Sequence, residues 1–207
     1  MARTPPTKPR KNALQARSRA TVDALVEATA RILVRDGFEK TSTNRIAEVA
    51  GVSVGSLYQY FPSKEALVAA VIDRHNEEIM GIVRTALTEV ADLPVDKAVR
   101  NLVTVAIEAH RINPKLHRVL AEQIPRTGQL KDVEAFNREI QALVRTYLES
   151  RRKEMRKVDL DVATFICVSA IESVAHNTVL NGAEMLSEKM VKVLVDETTR
   201  LVVGYLR

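Results

Sequence analysis

Apolar positions recur along this chain at spacings of three and four residues, the period of helices, with only short interruptions. Over 18–36, Val22, Leu25, Val26, Ile32 and Leu33 share one face, and Gly37 followed by Phe38 predicts a helix end with an apolar plug folded back. Two short helices are predicted next, over 43–50 and 54–60, halted by Phe61-Pro62. Within this pair Ile46, Ala50, Val52, Leu57 and Tyr60 stand where two short helices press their inner faces together. Ala47 is small at their crossing, and Gly51 suits the left-handed residue that ends one helix and opens a turn. Ser53 is placed to cap the second helix through its hydroxyl. Together these positions meet the demands of helix, tight turn and helix, which points to a DNA-reading pair rather than a structural hairpin.

Ser63 is placed to cap a long helix carrying Leu67, Val71, Ile79, Ile82, Val83 and Leu87 and ending before Pro94. At about 1.5 Å per residue it spans roughly 40 Å, enough to join a small head to a separate body. Pro114, Pro125 and Gly128 then divide the chain into predicted helices over 95–112, 114–123 and 129–157. The last two, 158–180 and 187–206, are apolar around most of their circumference and need cover on more than one side. Their own core could supply it, but terminal helices lie at the edge of so small a body, so a second subunit is the better account. Phe165, Val168, Val174, Val191, Leu194 and Leu201 are the expected dimer contacts, two helices from each copy forming a four-helix interface about a two-fold axis.

Composition agrees with an all-α fold. The 207 residues are 46% apolar, with 4% aromatics, no tryptophan, and too few glycines and prolines, seven of each, for many hairpins. The expected organisation is a basic arm over 1–17, a three-helix head over 18–64, and a helical body over 65–207. The single cysteine, Cys167, excludes an internal disulfide and fits a cytoplasmic protein; within VATFICVSAI it reads as inert core. That run is about half the length of a membrane span, so no membrane partner is expected. The basic N-terminus is not followed by an apolar segment, unlike a secretory signal.

Charge changes the picture through its placement. Residues 1–64 hold eleven Lys and Arg against five Asp and Glu, and the remainder twenty against twenty-one. The positive excess belongs with the helix pair, as a phosphate-contacting footprint would. The arm, with Pro5, Pro6, Pro9, Arg3, Lys8, Arg10 and Lys11, is expected to be disordered in the free protein. A place along DNA and a role as a solubilising tail both remain open for it.

The run GFEKTSTNRIAEVAGVSVGSLYQYFPSKEAL resembles the DNA-binding domain of the tetracycline-repressor (TetR) family, the likeness covering about 18–67. The Gly-Phe helix end, Ala-x-x-Ala-Gly-Val-Ser, Leu-Tyr-x-Tyr-Phe and Ser-Lys-Glu-Ala-Leu all stand intact; the body carries no comparable motif. The resemblance implies a ligand-responsive repressor that binds a double-stranded DNA operator as a homodimer.

A recognition helix over 54–60 has only about two turns, so the residues at its start, Ser53, Val54, Gly55 and Ser56, are those that can reach base edges. Val54 suits a thymine methyl, Gly55 lets the backbone approach, and Ser56 can bond a base or phosphate. Tyr58, Tyr60 and Lys64 are candidates for anchoring the flanking phosphates, with Gln59 a further contact. Tyr60 also occupies an inward position and could be core. Thr43 and Asn44 match positions where the family contacts DNA. So short a reader calls for two copies on a palindrome, with half-sites about 34–36 Å apart or a multiple of it.

For the body, the family implies a small-molecule pocket whose occupation changes the spacing of the two heads through the long helix. Ile107, Leu116, Leu120, Phe136, Leu143 and Tyr147 suggest a largely apolar effector, each with plain core as its alternative. His110 with His117, and His176 with Asn177, are candidate polar anchors; their spacing is not that of metal ligands, and no metal or cofactor is expected. The chain has no glycine-rich phosphate loop, G-x-S-x-G, H-E-x-x-H or Cys/His cluster, so an enzyme is not expected, though turnover of the sensed molecule stays open as an alternative. A non-specific DNA-packaging protein would explain the head and its charge, but not a near-neutral body.

Overall fold

The computed structural model describes residues 16–123 and 130–207, with side chains described over 18–122 and 137–207. The arm expected over 1–17 lies outside these residues but for the backbone of Ala16 and Arg17, as do the breaks at Pro125 and Gly128 and the side chain of Phe136. The described residues are all-helical: α1 (Ala16–Lys40), α2 (Thr43–Ala50), α3 (Val54–Tyr60), α4 (Lys64–Glu89), α5 (Val95–Arg111), α6 (Pro114–Gln123), α7 (Leu130–Ser150), α8 (Leu160–Leu180) and α9 (Glu188–Leu206).

Local chemistry sets most of these boundaries. Gly37, at φ 81° and ψ 172°, interrupts α1 where the sequence places its end, and one further turn follows it. The Ser42 and Ser53 hydroxyls accept the N–H groups of Arg45 at 3.4 Å and Ser56 at 3.0 Å, capping α2 and α3. Ser63 does the same for α4 through the Ala66 N–H at 3.2 Å. Asp159 caps α8 by accepting from Asp161 and Val162, and Ser187 caps α9 by accepting from Met190.

Helix α7 ends at Ser150, seven residues before the end predicted at 157. The Ser150 hydroxyl donates to the Tyr147 carbonyl at 2.7 Å, and the Arg151 N–H bonds the carbonyls of Tyr147 and Leu148, which tightens the last turn. A 3₁₀ turn, Arg152–Glu154, follows and carries a carboxylate to α5. Pro94 precedes α5 and offers no side-chain cap, and Glu154 accepts the Val95 N–H at 2.9 Å in its place.

The chain divides into two compact units. One comprises Met1–Asn76 with Lys115–Val133, and the other Glu77–Pro114 with Glu134–Arg207. The first is larger than a three-helix head over 18–64. Its core gathers Leu25, Ile32, Leu33, Ile46, Leu57, Phe61, Leu67 and Val71, joined by Leu116 and Val119 of α6. Leu116 and Leu120, expected in an effector pocket of the body, therefore pack with the reading helices.

In the second unit α5 packs against α8 and α9. The core here includes Val99, Val103 and Ile107 of α5, Tyr147 and Leu148 of α7, Ala163, Cys167 and Ala175 of α8, and Val191, Val195, Val202 and Leu206 of α9. Helix α8 is long and apolar enough to cross a membrane, but its buried face belongs to this core. Burial pushes the Cys167 thiol up to about 11, so it stays protonated and unreactive at neutral pH.

Candidate nucleic-acid interface

The geometry of the helix pair begins at the turn. Gly51 takes φ 68° and ψ 29°, and its N–H and that of Val52 bond back to Glu48 at 3.2 Å and Ala47 at 3.0 Å. The turn aims α3 outward while Leu57 and Tyr60 hold its inner face in the core. On the outer face Val54, Gly55, Tyr58 and Gln59 are exposed, and Ser56 is half-buried. An ideal Cβ on Gly55 would meet nothing closer than the Ser53 hydroxyl at 3.9 Å, so the helix offers bare backbone to an approaching surface.

Several side chains are held before any partner arrives. The Thr43 and Tyr58 hydroxyls lie 3.1 Å apart, tying the first turn of α2 to the middle of α3 and fixing an exposed phenol. Ser56 and Ser53 share a hydroxyl contact of 2.9 Å, so both belong to the cap as well as to the outer surface. Asn44 is exposed beside Thr43. Arg45, in the same first turn of α2, is also exposed and partly engaged by Glu48 at 2.8 Å; the sequence candidates do not include it, although its place two residues after Thr43 is the available signal.

Two candidates take different roles. Tyr60 is 9% exposed and donates its hydroxyl to Ser18 at 3.3 Å, so it is a core residue locking α3 to α1 and does not face outward for a phosphate. The Lys64 ammonium donates to the Phe38 carbonyl at 3.1 Å and sits 4.0 Å above the Phe38 ring centroid. It clamps the break after Gly37, where Thr41 also donates to the Gly37 carbonyl at 2.7 Å.

The candidate effector residues fall in both units. Leu116 and Leu120 belong to the first, and Ile107, His110, Leu143, Tyr147 and His176 to the second. Ile107 is fully buried, Leu143 is exposed, and Tyr147 is buried with its hydroxyl donating to the Leu93 carbonyl at 3.0 Å. His110 is buried and His176 half-buried. Of the expected dimer contacts, Val168 and Val191 are buried within the chain's own core, Val174 and Leu194 pack half-buried against it, and Phe165 and Leu201 are exposed. Val162, Ile166 and Val193 are also exposed on the same two helices.

Comparison with known proteins agrees with both parts of the chain. The family described as bacterial regulatory proteins, tetR family, matches residues 25–71, and the tetracyclin repressor-like C-terminal domain matches residues 94–206. The nucleoid occlusion factor SlmA of Actinobacillus pleuropneumoniae is 33% identical over 85 residues, spanning 41% of this chain and 41% of that protein. The HTH-type transcriptional repressor KstR2 of Mycolicibacterium smegmatis is 28% identical over 142 residues, 68% of this chain and 62% of the relative. The transcriptional regulator FadR of Bacillus subtilis, solved in complex with stearoyl-CoA, shares the fold with a TM-score of 0.70 at 14% identity, covering 89% of this chain and 99% of that one.

Proposed function

The chain belongs to the tetR family of bacterial regulatory proteins, and from that premise we propose that it is a cytoplasmic transcriptional repressor that reads a palindromic operator as a homodimer. A small, largely apolar effector bound in the second unit releases it. The outward face of α3 carries this reading: Val54, bare Gly55 and a tethered Tyr58 stand exposed on a short helix whose inner face is locked into the core. Thr43, Asn44, Ser53, Ser56 and Gln59 complete the contact surface. Lys64 joins it only through the donor capacity it does not spend on Phe38. The positive excess within residues 1–64 supports phosphate binding at this end of the chain.

Seven residues of recognition helix reach few bases, so a single copy discriminates weakly and two copies must share the site. The exposed apolar residues of α8 and α9 support pairing through those helices. Effector control follows if the ligand binds one spacing of the two heads better than the other, typically with 1–3 kcal/mol of coupling. Continuous α4 carries the chain from one compact unit into the other and is the proposed mechanical link.

Selection of bound DNA from a random pool by the full chain tests the reading. A palindrome should emerge, favoured over random DNA by roughly 10³-fold or more. Tyr58→Ala should weaken its binding about tenfold with thermal stability unchanged, since the side chain is 40% exposed. Equal affinity for random DNA at every salt concentration would sink the proposal in favour of a packaging role. Small molecules are then screened for release of the selected site.

A further inference from the structure

The helix pair over 43–60 contains one cation, Arg45, and one anion, Glu48. They are bonded to each other. The Arg45 guanidinium donates from Nη1 to the Glu48 carboxylate at 2.8 Å, three residues further along α2. The elements that read DNA therefore present no net side-chain charge to phosphates in the free protein. Any attraction that the pair itself exerts depends on Arg45 changing partner.

That exchange costs little. Both side chains stand in water, Arg45 45% and Glu48 67% exposed, and an ion pair so exposed adds little to the helix. Arg45 spends only Nη1 on the carboxylate, so Nε and Nη2 keep their donors, and the planar fork suits two oxygens of one phosphate. No second carboxylate is placed to hold it. Asp36, just before the break at Gly37, is kept below the ordinary carboxylate range first by Arg35, which bonds both its oxygens at 2.8 and 2.6 Å, and only secondarily by the charge of Arg45. The position also suits a contact. Arg45 follows Thr43 and Asn44 in the first turn of α2, and the Thr43 hydroxyl, 3.1 Å from that of Tyr58, brings this turn beside the exposed face of α3.

Resting on the reading of α3 as a recognition helix, we propose that Arg45 is a further DNA contact that exchanges Glu48 for a backbone phosphate on binding. Glu48 competes for the guanidinium and so sets the affinity of each head. A phosphate contact carries no sequence information, and the pair therefore tunes affinity for operator and random DNA alike. Base readout stays with α3.

The test measures binding of the full chain to the selected operator and to a random duplex of equal length over a range of salt concentrations. Arg45→Gln should weaken both roughly tenfold for each head bound, as loss of a hydrogen bond between charged groups does. It should also flatten the salt dependence by about 0.9 for each head. Glu48→Gln should strengthen both by about twofold to fivefold. Most of that gain should vanish in the double variant, because it acts through Arg45. Thermal melts should coincide for parent and variants, since both side chains are exposed. An unchanged salt slope in Arg45→Gln would overturn the contact. A gain from Glu48→Gln of the same size without Arg45 would mean that Glu48 acts by its own repulsion of phosphate, and would overturn the exchange. The parent chain's choice of a palindrome tests the recognition helix alone, and only differences between parent and variants test Arg45, so the two failures are told apart.

Discussion

Gly51 and Gly55 lie four residues apart and answer to different demands, which substitution can separate. Gly51 sits at φ 68° with nothing within 4 Å of an added Cβ, so Gly51→Ala meets no clash and costs only the left-handed backbone, about 1 kcal/mol. Gly55 is helical and exposed with equally free space around it. Gly55→Ala should therefore leave the free protein as stable or stabilise it by about 0.5 kcal/mol, since alanine is the better helix former. Its methyl would stand between backbone and base edges, so operator affinity should fall roughly tenfold, the worth of one good base contact. Thermal melts and fluorescence anisotropy on the selected operator check the pair. If Gly55→Ala lost stability and affinity in proportion, the glycine would be structural. Both placements are legible in the sequence, because a turn glycine and a glycine at a helix start leave local signatures. Tyr60 and Lys64 were harder. Their partners, Ser18 and Phe38, lie 42 and 26 positions away, and no local spacing distinguishes a tyrosine locked to α1 from one turned toward a phosphate.

Helix identity followed from periodicity and caps, and the serine and aspartate caps put α2, α3, α8 and α9 within two residues of expectation. The end of α7 and the allegiance of α6 did not, because both depend on contacts distant in sequence: Glu154 turning back to the Val95 N–H, and Leu116 and Val119 entering the core of α1 to α4. The α4 and α6 helices also meet through His75 and His117, both buried, with Nε2 of the one 3.0 Å from Nδ1 of the other. One ring must donate and the other accept, an arrangement that two imidazolium rings cannot make. Burial holds the His75 pKa below its ordinary 6.5, so folding favours the neutral ring. The unfolded chain binds this proton more readily. The contribution to stability is thus complete above about pH 6.5 and is lost as pH falls toward the lower folded value. Melting temperature should drop between pH 7 and 5.5 in the parent protein. In His75→Gln, whose amide can still donate to His117 and does not titrate, the drop should be shallower. Equal slopes in the two proteins would mean that the acid sensitivity arises elsewhere.

Pairing of two copies is where the fold and the proposed function depend on each other most. Removing α9 is a poor test, since Val191, Val195, Val202 and Leu206 are buried in the core of the second unit and their loss would unfold it. The exposed residues separate association from folding. Phe165 is 59% and Leu201 61% exposed, and burying each against a second copy is worth about 1.5–3 kcal/mol. A charge at either position faces water in the single chain and costs little there. In a pair it must be desolvated without a partner, which is far more expensive than the apolar contact it replaces. Phe165→Asp combined with Leu201→Glu should therefore sediment as a monomer with parent-like helical content. Each head would then bind its half-site alone. The loss of effective concentration should lower affinity for the full palindrome by roughly 10²-fold or more, while binding to an isolated half-site stays unchanged. A double variant that sediments as a dimer would move the interface away from these faces; a verified monomer with undiminished palindrome affinity would remove the need for a pair at all.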